Sequence, residues 1–395
     1  MDPGRGALMP SEDQFAQHRP GTTGDTAPVT GSSVSAQRDD RLAIRARGLS
    51  KSYPGAKGLA GQREGARIEA VRGIDLDVPA GETFGFLGPN GAGKSTVIGI
   101  LSALVRPTAG QARVAGADVL AQPRQVRRNI GLLSQHSALD LDLSARQNLY
   151  VHGRLYGLSR RYLRERIAAV LELAGLSDRA QQTVRAYSGG MRRRLEIARG
   201  LLHAPRVLFL DEPTVGLDPH ARARTWEHLL TLRDLGLTTV FVTTHYLEEA
   251  ENCDRLAIID AGRIVARGTP RALKAGLGND RLVLRTSDDM TAAGVLREAR
   301  VRAGSERVGP GGGSCDGAGP WGAESDVPPI SDVTVDAGGV SVRVGETSAW
   351  IPRLCAALAQ RDVTVHAVSA TPPTLGDVFF HHTGRTINAD AGRPV

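Results

Sequence analysis

Nine consecutive residues constrain this chain more than any others: Gly88-Pro89-Asn90-Gly91-Ala92-Gly93-Lys94-Ser95-Thr96. The run before them, Thr83-Phe84-Gly85-Phe86-Leu87, reads as a buried strand. After them Val97, Ile100, Leu101 and Leu104 recur at helical spacing. A glycine-rich loop between a strand and a helix is a phosphate cradle. Its glycines let the backbone wrap closely around an anion. Successive N–H groups and the helix N-terminus supply positive potential. In such a loop Lys94 neutralises β- and γ-phosphates and Ser95 ligates Mg2+. The expectation is an α/β fold of the P-loop NTPase type.

A second element fits the same chemistry. Val207-Leu208-Phe209-Leu210 reads as another buried strand, and it delivers Asp211 and Glu212 to its end. Asp211 can hold Mg2+ there, and Glu212 can accept a proton from an attacking water. Alone, two adjacent carboxylates are as readily a solvated turn; beside a phosphate loop they read as catalytic.

Further along, Tyr187-Ser188-Gly189-Gly190-Met191 opens a helix marked by Met191, Leu195, Ala198 and Leu202, with Ser188 as N-cap. This segment resembles the signature motif of ABC ATPases in its Ser-Gly-Gly-Met form, placed just upstream of the carboxylate strand. The resemblance implies that Ser188, Gly189 and Gly190 bind the γ-phosphate held by the opposite subunit of a head-to-tail homodimer. Taken singly, Gln135, Asp218, His245 and Tyr53 carry no such message. In this order they resemble the family's Q-loop glutamine, D-loop, switch histidine and adenine-stacking aromatic. The implied catalytic set is then Glu212, His245, Gln135 and Lys94. The implied ATP contacts are Tyr53, Gly88 to Thr96, Ser188 to Gly190 and Asp218, and Mg2+ falls to Ser95, Gln135 and Asp211.

Three longer stretches narrow the resemblance: Tyr187 to Glu196, Thr243 to Glu251, and Thr371-Pro-Pro-Thr-Leu-Gly-Asp-Val-Phe-Phe380. They are similar to the daunorubicin-resistance type of exporter ATPases, although Gly376 stands where that tail commonly has an acid. The resemblance implies export of a drug, antibiotic or other hydrophobic compound through a membrane permease on another chain. It also places this chain peripherally, at the cytoplasmic face of the membrane. An importer ATPase shares the catalytic residues, so direction rests on the tail alone. A non-transport ABC ATPase acting on nucleic acid or ribosomes is the other alternative. A P-loop kinase is opposed by Tyr53, the Ser-Gly-Gly-Met motif and His245.

Composition bears on these alternatives. The net charge of +7 permits an anionic partner, yet the arginines are spread out and not interleaved with stacking aromatics. No nucleic-acid partner is therefore expected. No apolar stretch approaches the roughly 18 residues of a membrane helix. Cys253, Cys315 and Cys355 are far apart, without metal-ligand spacing or a disulfide framework.

Along the chain, residues 1–41 read as a disordered tail, and Pro54 to Arg67 as a long surface loop. An ABC ATP-binding domain is expected over 42–275, with a helical subdomain at about 136–190. Its further strands are Thr239 to Val242 and Leu256 to Ile259, the latter forming a hairpin with Arg263 to Ala266. A small α+β accessory domain is expected over 280–386, with a flexible insertion at 304–329 and a tail at 387–395. Its elements are strands at Leu282–Leu284, Val333–Val335, Val340–Val344 and Val363–Val365, and a helix at Trp350–Gln360.

Overall fold

The computed structural model describes residues 42–54, 67–135, 137–236, 238–277, 280–305, 330–336, 339–344 and 347–387. The expected N-terminal tail, the interior of the 54–67 loop, residues 306–329 of the expected insertion and residues 388–395 lie outside the described residues.

The chain opens with β1 (Leu42–Pro54) and β2 (Arg67–Pro79), an antiparallel pair, followed by β3 (Thr83–Leu87) and α1 (Lys94–Leu101). Then come β4 (Ala109–Val114), β5 (Ala117–Asp118), α2 (Pro123–Asn129) and β6 (Ile130–Leu133). A helical stretch follows: α3 (Ala145–Leu155), α4 (Arg160–Leu173) and α5 (Gly189–Leu201). The α/β alternation resumes with β7 (Val207–Asp211), α6 (Pro219–Asp234), β8 (Thr239–Thr244), α7 (Leu247–Ala250), β9 (Arg255–Asp260), β10 (Arg263–Gly268) and α8 (Pro270–Gly276). The last part comprises β11 (Asp280–Thr286), α9 (Asp289–Ser305), β12 (Ile330–Asp336), β13 (Gly339–Val344), α10 (Thr347–Ala359), β14 (Val365–Thr371) and α11 (Leu375–Thr383).

The central sheet runs β10-β9-β3-β8-β7-β6, parallel except for the β9–β10 hairpin at its edge. β3, β7 and β8 are buried at every residue, as unbroken apolar runs in a parallel sheet covered on both faces should be. Strand alternation sends Phe84, Phe86, Phe209 and Phe241 to one face, where they pack with α1 and with the antiparallel sheet β2-β1-β4-β5. Leu208, Leu210, Val240 and Val242 face the other way, into the core shared with α3, α4, α5 and α6. Of these helices α3 and α4 lie within 136–190, and α5 runs on to Leu201. The antiparallel sheet was not singled out in the sequence, although Ile74, Leu76 and Val78 alternate with exposed polar residues in β2.

The last part forms an antiparallel sheet of order β12-β13-β11-β14. With its two helices this is the β-α-β-β-α-β split arrangement of ferredoxin-like folds. Leu282, Leu284, Val340, Val342 and Val344 line one face against Leu296, Trp350, Leu354 and Leu358. One expected strand is displaced: Val363 does not lie in β14, which begins at Val365. Val363 is buried with this core, but its N–H donates to Leu358 O at 3.0 Å behind Asp362 at φ 56°. The valine therefore closes the C-terminus of α10. The helix α9 also extends to Ser305, into the first two residues of the expected insertion.

The helix α11 returns to the central sheet. Thr374 and Asp377 form a reciprocal capping box at its start. Leu375, Val378 and Phe379, with Ile387 beyond, pack against Leu87, Ala250, Leu256 and Ile258. Asp377 also pairs with Arg343 of β13 at 2.5 Å. A Cβ at Gly376 would stand 3.1 Å from Leu247 Cδ1, so a larger residue at this position would crowd the Leu247 side chain.

Candidate active site

The nine-residue loop leaves β3 and enters α1 under tight steric constraint. Gly88 N donates to Thr244 O at the end of β8 (3.1 Å). A Cβ on Gly88 would fall 2.4 Å from Ile259 O, and one on Gly93 would fall 2.3 Å from Ala70 O. Gly93 also has φ 103°, in the left-handed region that L side chains avoid. The loop backbone is therefore shaped as a close-fitting cradle, and the first N–H groups of α1 face into it without intrahelical partners. Gly93→Ala is expected to weaken ATP binding at least about tenfold, since the added methyl must move either the loop or β2. Titration with a fluorescent ATP analogue checks this, with far-ultraviolet circular dichroism confirming the fold; wild-type affinity would mean the cradle is not the nucleotide site.

Three side chains meet at the C-terminal ends of three adjacent parallel strands. Lys94, after β3, is almost fully buried; its Nζ donates to Gly88 O (2.7 Å) and Pro89 O (3.0 Å) and lies 3.0 Å from Glu212 Oε1. His245, after β8, places Nδ1 at 3.4 Å from the same carboxylate oxygen. Glu212, after β7, is 8% exposed. Its backbone N–H is shared by Thr243 Oγ1 (3.0 Å) and Thr243 O (3.2 Å), and its φ is 48°. A left-handed non-glycine residue costs about 1–3 kcal/mol and persists only where its surroundings over-determine it. Burial pushes the Glu212 carboxyl upward, but His245 and Lys94 more than offset this and hold it at about 2. Glu212 is thus a carboxylate throughout the neutral range.

The remaining expected residues have these positions. Asp211 ends β7 and its Oδ1 accepts from Thr243 Oγ1 at 2.6 Å. Ser95 and Thr96 stand in the first turn of α1, Ser95 exposed. Gln135 is exposed just past β6, and Tyr53 is half-buried near the end of β1 with Lys51 Nζ 5.0 Å from its ring centre. Hard oxygen donors at Ser95 and Asp211, beside a phosphate cradle, suit Mg2+, which takes few protein ligands and completes its shell with phosphate and water. Ser188 caps α5, accepting from Met191 N at 3.3 Å, and Asp218 caps α6, accepting from Ala221 N at 2.9 Å. A Cβ on Gly190 would lie 2.9 Å from Ala221 Cβ. Among the described residues, no hydrogen bond or ion pair joins Ser188–Gly190 to Gly88–Thr96.

Sequence reasoning missed the side chains that hold these groups. Thr243 bridges both carboxylate residues. Glu249, buried on α7, accepts from Thr214 Oγ1 and from Thr244 Oγ1 (2.7 Å). It thereby ties the turn after Glu212 to the strand end that carries His245. Arg193 on α5 reaches the same turn through its carbonyls. Glu249 stands in the Thr243–Glu251 stretch, and nothing in its spacing separates it from the exposed Glu248 beside it.

A glycine-rich loop and a buried, ion-paired carboxylate converging at the C-terminal edge of a parallel sheet, with an inserted helical stretch, define a P-loop ATPase of the ATP-binding-cassette class. The comparisons agree. The ABC transporter family profile matches residues 71–215. Daunorubicin resistance ATP-binding protein DrrA3 of Streptomyces coeruleorubidus is 43% identical over 319 residues, covering 80% of this chain and 92% of that protein. Nod factor export ATP-binding protein I of Rhizobium johnstonii is 45% identical over 233 residues, covering 59% and 71%. Among solved structures, the dimeric post-hydrolysis state of the ATP-binding cassette MJ0796 with ADP and Pi superposes with a TM-score of 0.51 at 25% identity, covering 57% and 98%. The chain belongs to the ATP-binding proteins of ABC transporters, in the group that includes the daunorubicin-resistance proteins, and it is an ATPase.

Proposed function

We propose that this chain powers export of a drug-like or other hydrophobic compound through a permease on a separate chain, hydrolysing ATP at the site formed by Lys94, Glu212 and His245. The observation that carries the catalytic part is the meeting of these three side chains within 3.4 Å of one carboxylate oxygen. Export rather than import is supported by the names of the relatives, which are resistance and export proteins. No helix among the described residues is long and apolar enough to cross a membrane, which fits a pore formed by a partner chain. The chain would then sit peripherally on the cytoplasmic membrane face. The working unit is read as an ATP-binding body over 42–275, with a helical subdomain at about 136–190, followed by an accessory unit over 280–386.

In this reading the adenine stacks on Tyr53, and the triphosphate lies along Gly88 to Thr96. Mg2+, held by Ser95, Asp211 and Gln135, would neutralise charge on the β- and γ-phosphates. Lys94 turns its ammonium from Glu212 toward the phosphates. Loss of that cation lets the Glu212 carboxyl rise toward its ordinary value and makes it a better proton acceptor. Glu212 then orients water for in-line attack while His245 steadies the transferring phosphoryl group. Ser188 and Gly189 are exposed and Gly190 is half-buried, and among the described residues none of them bonds to the chain's own phosphate loop, which supports a second copy supplying them across a dimer with Asp218 at its seam. Closing two copies on ATP and reopening them would drive the permease between its states.

Capture on tagged Glu212→Gln protein from detergent-solubilised membranes, with ATP present, tests the transport reading. A multi-spanning membrane protein in stoichiometric yield is the expected result. Recovery of ribosomes or nucleic acid instead would leave the ATPase and remove the exporter.

A further inference from the structure

We infer that Arg193, held by Glu196, is a positioning residue that locks the backbone of Glu212 to both the signature helix and the Q-loop strand; this rests on the proposed role of Glu212. Arg193 lies just over one turn into α5, and its side chain is 11% exposed. A guanidinium has five N–H groups in a rigid fork, and here every one is used. Nε donates to Pro213 O at 2.6 Å. Nη2 donates to Glu212 O at 3.0 Å and to Asp211 O at 3.2 Å. Nη1 donates to Ser134 O at 3.2 Å and to Glu196 Oε2 at 2.9 Å. Three of the acceptors are successive carbonyls of the turn that carries the catalytic carboxylate, and the fourth adjoins Gln135.

This arrangement accounts for the left-handed φ of Glu212. Carbonyls that converge on one point need a cation with several donors there, and a strained residue between them stays put only while that cation does. The cation can be buried because Glu196, itself 4% exposed, neutralises it one turn away. Lysine could not substitute fully, since it offers three N–H groups on a flexible stem rather than a planar fork. The consequence is mechanical coupling. Ser188 caps α5 and is read above as contacting ATP across the dimer, and β6 leads into Gln135, read above as a Mg2+ ligand. A rotation of either element carries the guanidinium with it and so moves the Glu212 backbone, aligning or misaligning the base.

The test uses the full chain, with steady-state hydrolysis and ATP-binding titrations on Arg193→Met, Arg193→Lys and Glu212→Gln. Arg193→Met is expected to lower kcat about 100-fold, the cost of misplacing a catalytic group by about 1 Å, with KM for ATP and the ATP dissociation constant within about twofold of wild type, since no nucleotide contact is removed. Arg193→Lys should recover about tenfold of that loss by restoring charge and part of the hydrogen bonding. A residue that merely stabilised the fold would lower binding and turnover together, and that result overturns the inference, as does wild-type kcat in Arg193→Met. If Arg193→Met does not fold, Arg193→Lys decides: reduced kcat at unchanged KM supports the inference, and unchanged kcat overturns it. Normal hydrolysis by Glu212→Gln removes the underlying reading of the site; a dead Glu212→Gln beside a fully active Arg193→Met removes only the role of Arg193.

Discussion

Glu212→Gln is expected to cut ATP turnover at least about 100-fold while leaving ATP bound, because a general base typically contributes about 10²–10⁴-fold. The amide has nearly the shape of the carboxylate, so the turn between Asp211 and Thr214 keeps its backbone bonds to Thr243 and Arg193. What is lost is a negative charge 3.0 Å from Lys94 and 3.4 Å from His245. Without that charge Lys94 is no longer drawn away from the phosphates, and the anionic triphosphate no longer faces a carboxylate. ATP should therefore bind at least as tightly as in the wild type, and a closed dimer should accumulate. Phosphate release reads the first effect and retention of ATP on size-exclusion chromatography reads the second. Wild-type phosphate release would mean that another group activates the water.

The second large effect is on stability. Phe379→Ala is expected to destabilise the chain by about 3–5 kcal/mol, the usual cost of emptying a fully buried aromatic site. Phe379 is completely buried, packed with Leu375 and Val378 against Leu87, Leu256 and Ile258. Its neighbour Phe380 is 51% exposed, and Phe380→Ala should change stability by no more than about 0.5 kcal/mol. Urea unfolding of the two variants side by side checks the contrast. Equal midpoints would show that α11 does not depend on the core for its place. Leu87 immediately precedes the phosphate loop and Ala250 closes α7 behind His245, so Phe379→Ala should also loosen ATP binding near its unfolding midpoint before the rest of the sheet melts.

The parts of the fold that sequence made legible share one property: their message is local. Thr83–Leu87, Val207–Leu210 and Thr239–Val242 are short apolar runs because the sheet they build is covered on both faces, and the chemistry follows each closely in sequence, from Gly88 to Lys94, at Asp211 and Glu212, and at His245. Lys94 and Glu212 could therefore be named from the motifs that carry them, and His245 only through the family resemblance. The groups that hold them could not. Arg193 is one of three successive arginines, and only the fold shows that its guanidinium, unlike that of Arg192 or Arg194, gathers the carbonyls under Glu212. Glu249 differs from Glu248 only in which way a four-residue helix turns it. Val363 carried the right hydrophobicity for a strand, but it caps a helix, because burial alone does not state a backbone conformation. The docking of α11 beside Leu87 was invisible for the same reason, since no periodic pattern reports a contact between distant segments.

That last contact orders events during synthesis. The apolar patch formed by Leu87, Ala250, Leu256 and Ile258 is finished long before the residues that cover it exist. Leu375 is made about 117 residues after Ile258, the last member of that patch, which at about 5–20 residues per second is on the order of 6–23 s on the ribosome. Through that interval the nascent ATPase carries an uncovered greasy surface next to its own phosphate loop. Chains cut short anywhere before Leu375 would keep that surface permanently, and they are expected to be captured by chaperones or degraded rather than released as free, working ATPases.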